Sequence, residues 1–184
     1  MSPHVEIDQP VIERAKAGDA RAFAAIYHAY AALVFSVALR ISRVWQDAEE
    51  ITQEVFLTLF RKFSQFNFLS SLKTWLYRIA VNTALNARRG HLREEARRLV
   101  YQKSAILGRG AVTDPAAQVE AEAEANALLD LLPPEQRVCL VLRTIEGLSY
   151  QEIAEVLQIN INTVRSRLKR GRETLLAWKQ GEAK

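Results

Sequence analysis

Ser149-Tyr150-Gln151-Glu152-Ile153-Ala154-Glu155-Val156-Leu157-Gln158-Ile159-Asn160-Ile161-Asn162-Thr163-Val164-Arg165-Ser166-Arg167-Leu168-Lys169-Arg170-Gly171-Arg172 decides how the chain is read. Ser149 and Glu152 stand three apart, the spacing of a capping box that opens a helix. Ile153, Ala154 and Leu157 form its short apolar face, and Ala154 is small where two helices cross closely. The pattern breaks at Gln158-Ile159. Asn160 then caps a second helix, predicted from Ile161 to about Lys179, which buries Val164, Leu168, Leu175 and Trp178. A short helix, a tight turn and a longer basic helix make a helix-turn-helix running from about Leu148 to Trp178.

The second helix is about 27 Å long at 1.5 Å per residue, enough to lie in a major groove and reach beyond it. Such a helix reads bases with its N-terminal residues and holds phosphates with the rest. Asn162, Thr163, Arg165, Ser166 and Lys169 are therefore the candidate base contacts, because Arg pairs with guanine and Thr touches a thymine methyl. Arg167, Arg170 and Arg172 are the candidate phosphate contacts. A basic face that is merely solvated is the competing interpretation.

Outward from this unit the chain is helical. Gly (7) and Pro (5) are sparse among 184 residues, and apolar residues make up 49%, so an all-α fold is expected. Asp19, after Gly18, caps a long amphipathic helix with Phe23, Ile26, Tyr27, Tyr30, Leu33, Val34, Val37 and Ile41 on one stripe. Asp47 opens the next, whose apolar stripe is Ile51, Val55, Phe56, Leu59, Phe60 and Phe63. Gln53, Glu54 and Thr58 fall off that stripe. From Ser64 to Ser71 the pattern reads as a loop with interleaved aromatics. A third helix runs from Leu72 to Arg93 with Trp75, Leu76, Ile79, Ala80, Thr83 and Leu85 inward. Periodicity fades from Arg97 to Ala117, a linker with Gly108, Gly110 and Asp114-Pro115 as punctuation. A helix from about Ala116 to Leu132 ends at Pro133-Pro134. Pro134 then starts a helix carrying Val138, Leu140, Val141, Leu142 and Ile145, which stops at Gly147.

The net charge is +4, and its distribution matters more than its size. Residues 111–135 hold six acids and no Lys or Arg. Arg88, Arg89, Arg93, Arg97, Arg98, Lys103 and Arg109 precede them; Arg165 to Arg172 follow. Two basic segments around an acidic spacer suggest two nucleic-acid contacts. The single Cys139 lies in an apolar run and is expected in the core. His4, His28 and His91 are scattered and offer no zinc spacing, so neither metal nor cofactor is expected. Residues 1–10 do not resemble a signal peptide, and the apolar stretch from Ala29 to Leu39 is too short to span a bilayer. No clustered carboxylates or metal constellation point to an enzyme.

A lone C-terminal helix-turn-helix also fits a stand-alone transcriptional regulator. The rest of the chain favours another class. Gly18-Asp19-Ala20-Arg21-Ala22-Phe23, Asp47-Ala48-Glu49-Glu50-Ile51-Thr52-Gln53-Glu54-Val55-Phe56, Thr74-Trp75-Leu76-Tyr77-Arg78-Ile79-Ala80-Val81-Asn82 and Leu132-Pro133-Pro134-Glu135-Gln136-Arg137 with Ser149 to Leu175 resemble, in this order, the extracytoplasmic-function (group IV) sigma factors of bacterial RNA polymerase. The resemblance covers nearly the whole chain. It implies two helical domains: region 2 at 1–94 and region 4 at 118–184, joined by a linker at 95–117.

The same resemblance implies roles and partners. Asp47, Glu50, Gln53 and Glu54 would meet the clamp helices of the polymerase β′ subunit, and region 4 the β flap. Phe66, Asn67, Phe68 and Ser71 would receive a flipped base of the minus-10 element. Asn82 and Asn86, four apart, would read bases there, while Lys73, Arg78, Arg88 and Arg89 hold the backbone. Phe66 and Phe68 read equally well as core residues, and Trp75 sits on the apolar stripe. The minus-35 element falls to the helix-turn-helix, and an anti-sigma protein is an expected partner. Without a signal-peptide pattern or a spanning stretch, a cytoplasmic location without membrane insertion is expected. Three departures stand out. Gln158 holds the turn position where Gly is frequent, costing about 1 kcal/mol, and Asn162 replaces a small residue. The loop from Phe66 to Leu69 is also more apolar than in many relatives, consistent with a different base or with packing against an inhibitor.

Overall fold

The computed structural model describes residues 7–102 and 128–181, with side chains described for 7–90 and 128–181. All regular elements among the described residues are helical. In chain order they are α1 (Gln9–Lys16), α2 (Ala20–Ser42), α3 (Trp45–Lys62), a 3-10 turn (Phe63–Gln65) and α4 (Leu72–Gln102). After residues 128–130 come α5 (Pro134–Leu140) with a π turn (Val141–Ile145), then α6 (Tyr150–Leu157) and α7 (Ile161–Lys179). Residues 103–117 of the expected 95–117 linker, and the start of the helix expected from Ala116, lie outside the described residues.

The N-terminal half is built around α2, which packs on α1, α3 and α4. Asp19 starts α2 as expected: its carboxylate accepts the N–H groups of Arg21 at 2.8 Å and Ala22 at 3.1 Å. Ile26, Val34, Val37 and Ile41 are buried, and they meet Ile51, Val55 and Leu59 of α3 and Leu76, Ala80 and Ala84 of α4 in one core. Each such side chain contributes about 1.5–3 kcal/mol on burial. Helix α2 is also long and apolar enough to cross a membrane by length and composition, with a mean hydropathy of 1.8. Packing on three neighbouring helices accounts for that apolar character. The Ala29–Leu39 stretch alone understated it.

Several boundaries differ from expectation. Helix α1 was not anticipated; Pro10 at its start and the buried Ile12 and Ala15 explain it. Helix α3 begins at Trp45 rather than Asp47, which places Asp47 in the first turn, where the helix dipole favours an acid. Helix α4 continues to Gln102, beyond Arg93 and across the expected domain limit at 94. Arg, Glu, Ala and Leu extend a helix by propensity without needing an apolar stripe. The register of α4 is also sharper than expected. Leu72, Leu76, Tyr77, Ala80, Val81 and Ala84 are its buried apolar positions, with Thr74 buried beside them, while Ile79 and Leu85 are half-buried.

The C-terminal half packs α5 and α6 on α7. Pro134 takes the first turn of α5, and Gly147, at φ +73°, ends the π turn. Cys139 is fully buried, and burial pushes its thiol up to about 11. Arg137 is 1% exposed; it donates to the carbonyls of Leu129 at 2.8 Å and Leu132 at 3.3 Å and lies 3.4 Å from Asp130. Burial lowers it to about 10. This arginine ties the start of α5 to the chain before Pro133.

Candidate nucleic-acid interface

The helix-turn-helix forms with the expected caps. Ser149 Oγ accepts the Glu152 N–H at 3.2 Å, and Glu152 Oε2 accepts the Ser149 N–H at 2.7 Å. Those bonds hold the Glu152 carboxyl below the usual carboxylate range. Gln158 adopts φ +53° in the tight turn, the left-handed conformation Gly would take more cheaply. Asn160 Oδ1 accepts the Asn162 N–H at 2.8 Å and begins α7.

On α7, Val164 and Leu168 are buried while Asn162, Arg165, Ser166, Lys169, Arg170 and Arg172 are exposed together. Asn162 Oδ1 accepts a bond from Arg165 Nη1 at 2.8 Å, so the two outermost polar residues of the N-terminal turn orient each other. Ser166 Oγ donates to the Thr163 carbonyl at 2.9 Å, and Lys169 lies 3.8 Å from Glu173. Thr163 and Arg167 are half-buried. Arg167 lies beside Cys139, where its charge and a hydrogen bond act on the thiol, so its guanidinium is not simply free for phosphate. Two expectations fail. Trp178 is 44% exposed rather than buried, as is Ile145 on the π turn. The helix leans on α5 instead through Gly171, whose missing Cβ would stand 2.8 Å from Leu140 Cδ1. A Cβ there would require the Leu140 side chain to shift.

The second expected surface is less uniform. Asn82, Asn86 and Arg89 are exposed on α4, and Arg88 is half-buried. Phe66 is corrected to a core residue: it is 5% exposed and packs at 5.3 Å from Trp75 and 6.3 Å from Phe63. Its backbone follows the 3-10 turn, which aims the ring inward. Phe68 is held differently, at φ +60°, with Lys16 of α1 at 4.8 Å over its ring. A non-Gly residue in that region is strained, a feature that clusters at functional sites. Asn67 Oδ1 accepts the Leu69 N–H at 3.3 Å, and Leu69 itself is 88% exposed at the loop tip. Ser71 caps α4, accepting the Thr74 N–H at 3.0 Å. Lys73 lies 5.6 Å from the Tyr77 ring, and Arg78 donates to the Glu155 carbonyl of α6 at 3.0 Å.

The outer face of α3 carries Glu50, Gln53 and Glu54, all exposed, with Asp47 half-buried at its start. Leu57 and Phe60 continue the same face and are 48% and 66% exposed. Phe60 therefore leaves the buried stripe; its ring meets Phe23 edge-on at 5.5 Å.

Both halves of the chain match known families. A family model for sigma-70 region 2 matches residues 26–98, and one for sigma-70 region 4 matches residues 123–175. The RNA polymerase sigma-H factor of Pseudomonas aeruginosa is 35% identical over 178 residues, covering 92% of each chain. The ECF RNA polymerase sigma-E factor of Haemophilus influenzae is 33% identical over 183 residues, covering 91% of this chain and 93% of its own. The chain belongs to the extracytoplasmic-function sigma factors of the sigma-70 family. Its two-domain fold is shared with the sigma factor RpoE of Bartonella quintana, solved in complex with the anti-sigma factor NepR. That match has a TM-score of 0.65 at 22% identity and covers 83% of this chain and 93% of that one.

As an RNA polymerase sigma factor it is a regulatory subunit rather than a stand-alone regulator. Among the described residues no His, Cys, Asp and Glu group could hold a metal ion. Sequence reasoning missed three exposed apolar side chains, Leu57 and Phe60 on α3 and Leu69 at the loop tip, and the close approach of α7 to α5 at Gly171. Leu57 and Phe60 had a readable signal, being three and six residues beyond Glu54 and so within reach of its face. The tip position of Leu69 and the close approach at Gly171 had none.

Proposed function

We propose that this sigma factor directs core polymerase to two-part promoters, with α7 on the minus-35 element and the Asn67–Ser71 loop and α4 on the minus-10 strand. The observation that carries the reading is the exposed pair Asn162–Arg165, fixed by a 2.8 Å bond at the N-terminal end of α7. A pre-oriented Arg loses less freedom when it pairs with a base edge. Arg170 and Arg172 serve phosphates; Ser166 and Lys169 sit within reach of bases. Thr163 and Arg167 are held against the protein body and act through smaller movements. On α4, Asn82 and Asn86 face bases, with Arg88 and Arg89 on the backbone. Phe68 and Leu69 provide the stacking surface that Phe66, sunk in the core, does not.

Core polymerase docks on α3. The acidic end, Glu50 and Glu54 with Gln53, steers a basic helical partner such as the β′ clamp helices and sets its register. Leu57 and Phe60 supply the apolar anchor that such an interface needs at its centre. Region 4 meets the β flap. An anti-sigma protein competes for these surfaces, and the cytoplasm is where all of them meet.

Transcription in vitro with core polymerase and a genomic library tests the reading. Promoter-specific transcripts are expected upon addition of the protein; their absence overturns it.

A further inference from the structure

Between α2, α4 and α5 the chain gathers more cations than acids. Arg43, at the left-handed end of α2, forks onto Asp130 through Nε at 3.1 Å and Nη2 at 2.9 Å. Arg137 of α5 lies 3.4 Å from the same carboxylate. Burial, then the like charges of Arg88 on α4 and of Arg43, hold Arg137 below the usual guanidinium range. Three guanidiniums thus share the neighbourhood of one carboxylate.

Two of these cations keep unused donors. Arg137 is 1% exposed, and its Nη1 has no hydrogen-bond partner, while Nε and Nη2 serve the Leu129 and Leu132 carbonyls. Arg88 is half-buried, and its Nε is likewise enclosed without a partner. Folded chains pair nearly all of their buried polar groups, so two unfilled guanidinium N–H groups in one cluster call for an acceptor. The excess of positive charge calls for an anionic one.

The approach to the cluster limits what that anion can be. The Asp130 side chain is 49% exposed, whereas those of Arg43 and Arg137 are 18% and 1% exposed. A continuous nucleic-acid backbone needs an open row of cations, as on α7. Here the cations lie behind a carboxylate.

We infer that Arg43, Arg88 and Arg137 form a binding site for a small phosphate-type dianion, which takes the place of the Asp130 carboxylate between α2, α4 and α5. Phosphate brings more charge and more acceptor oxygens than a carboxylate, so it can keep the Arg43 fork and also meet the unfilled N–H groups. Asp130 is then an internal competitor. Its neutralisation frees the site, whereas a purely structural ion pair would only lose stability. Arg88 is also among the proposed backbone contacts of α4, but the anion site does not rest on that reading, and its test leaves Arg88 unchanged.

Inorganic phosphate is the probe. Its binding to the full chain is read by phosphorus NMR titration, and by thermal melting in phosphate against chloride at matched ionic strength. The wild-type chain is expected to melt higher in phosphate. Asp130→Asn is expected to bind phosphate about fivefold more tightly and Arg43→Gln about tenfold more weakly. Melting in chloride verifies that each variant folds; if Arg43→Gln does not, Arg43→Asn replaces it, since Asn tolerates the left-handed position. Phosphate affinity that the Arg43 change leaves intact belongs to the exposed arginines of α7 and overturns the site. Unchanged or weaker binding by Asp130→Asn overturns it as well. A mixed-sequence single-stranded oligonucleotide without terminal phosphates distinguishes the source of the anion. It is expected to bind wild type and Arg43→Gln within about twofold. A loss as large as that seen with phosphate would assign the cluster to a nucleic-acid strand and overturn the small-anion site.

Discussion

Helices α7 and α4 face DNA on different terms. The polar face of α7 is prepared by its own neighbours in sequence: Asn160 caps it, Asn162 orients Arg165, and Val164 with Leu168 hold it down. The polar face of α4 is prepared by distant parts of the chain. Lys16 of α1 positions Phe68, and Glu155 of α6 occupies Arg78. The difference teaches that a locally built face is ready before the tertiary structure closes, whereas a composite one can be switched by moving its donors.

The largest effect that would sharpen this contrast lies beneath α7. Arg137→Ala strands the carbonyls of Leu129 and Leu132, and should destabilise the C-terminal half by about 2–3 kcal/mol. Differential scanning calorimetry should show that half melting earlier while α2–α4 hold; one unshifted transition would break the contrast.

Arg165→Ala should cost about 1–3 kcal/mol at the minus-35 element and change its preferred sequence. Asn82→Ala should spare closed-complex binding yet slow strand opening. Gel-shift titration across a promoter library and permanganate footprinting separate the two. Equal effects of both changes on closed-complex affinity would contradict the division.

Gln158→Gly relieves a left-handed turn residue and should stabilise the C-terminal half by about 1 kcal/mol, with no change in promoter preference. A lower melting temperature would show that the Gln158 side chain compensates its backbone.

The smallest effect concerns the cap of α6. Glu152 is held below its ordinary carboxylate value of 4.5 by Ser149. A depressed carboxyl contributes stability that is present above the unfolded value and is lost as pH falls through the folded one. Glu152→Gln should therefore flatten the acid-side slope of stability below about pH 4.5 and lower stability at pH 7 by about 0.5 kcal/mol. Urea titration at pH 3, 4 and 7 measures it.

Much of the C-terminal half was legible because its signals are local. The capping box at Ser149, the caps at Asn160 and Asp19, the Pro134 start and the Gly147 stop each act within a few residues, and the structure shows each in place. Phe66 was open between base contact and core until the 3-10 turn set its direction. Phe60 and Trp178 fitted an apolar period but face outward, because a helix buries only the side its neighbours cover.

Sequence alone determined an all-α chain, the order of its helices from α2 to α4 and from α5 to α7, the sigma-70 signatures and the polar residues at the start of α7. These depend on backbone propensity, capping and periodicity, which operate over one or two turns. Tertiary structure alone decided which aromatics are buried, that α7 crosses α5 at Gly171, and that Arg43 reaches Asp130 and Arg78 reaches α6. Those outcomes depend on residues 31 to 87 apart in sequence meeting in space, as Gly171 meets Leu140 and Arg43 meets Asp130. No local pattern encodes such a meeting, because its energy comes from surfaces that exist only once the helices have packed.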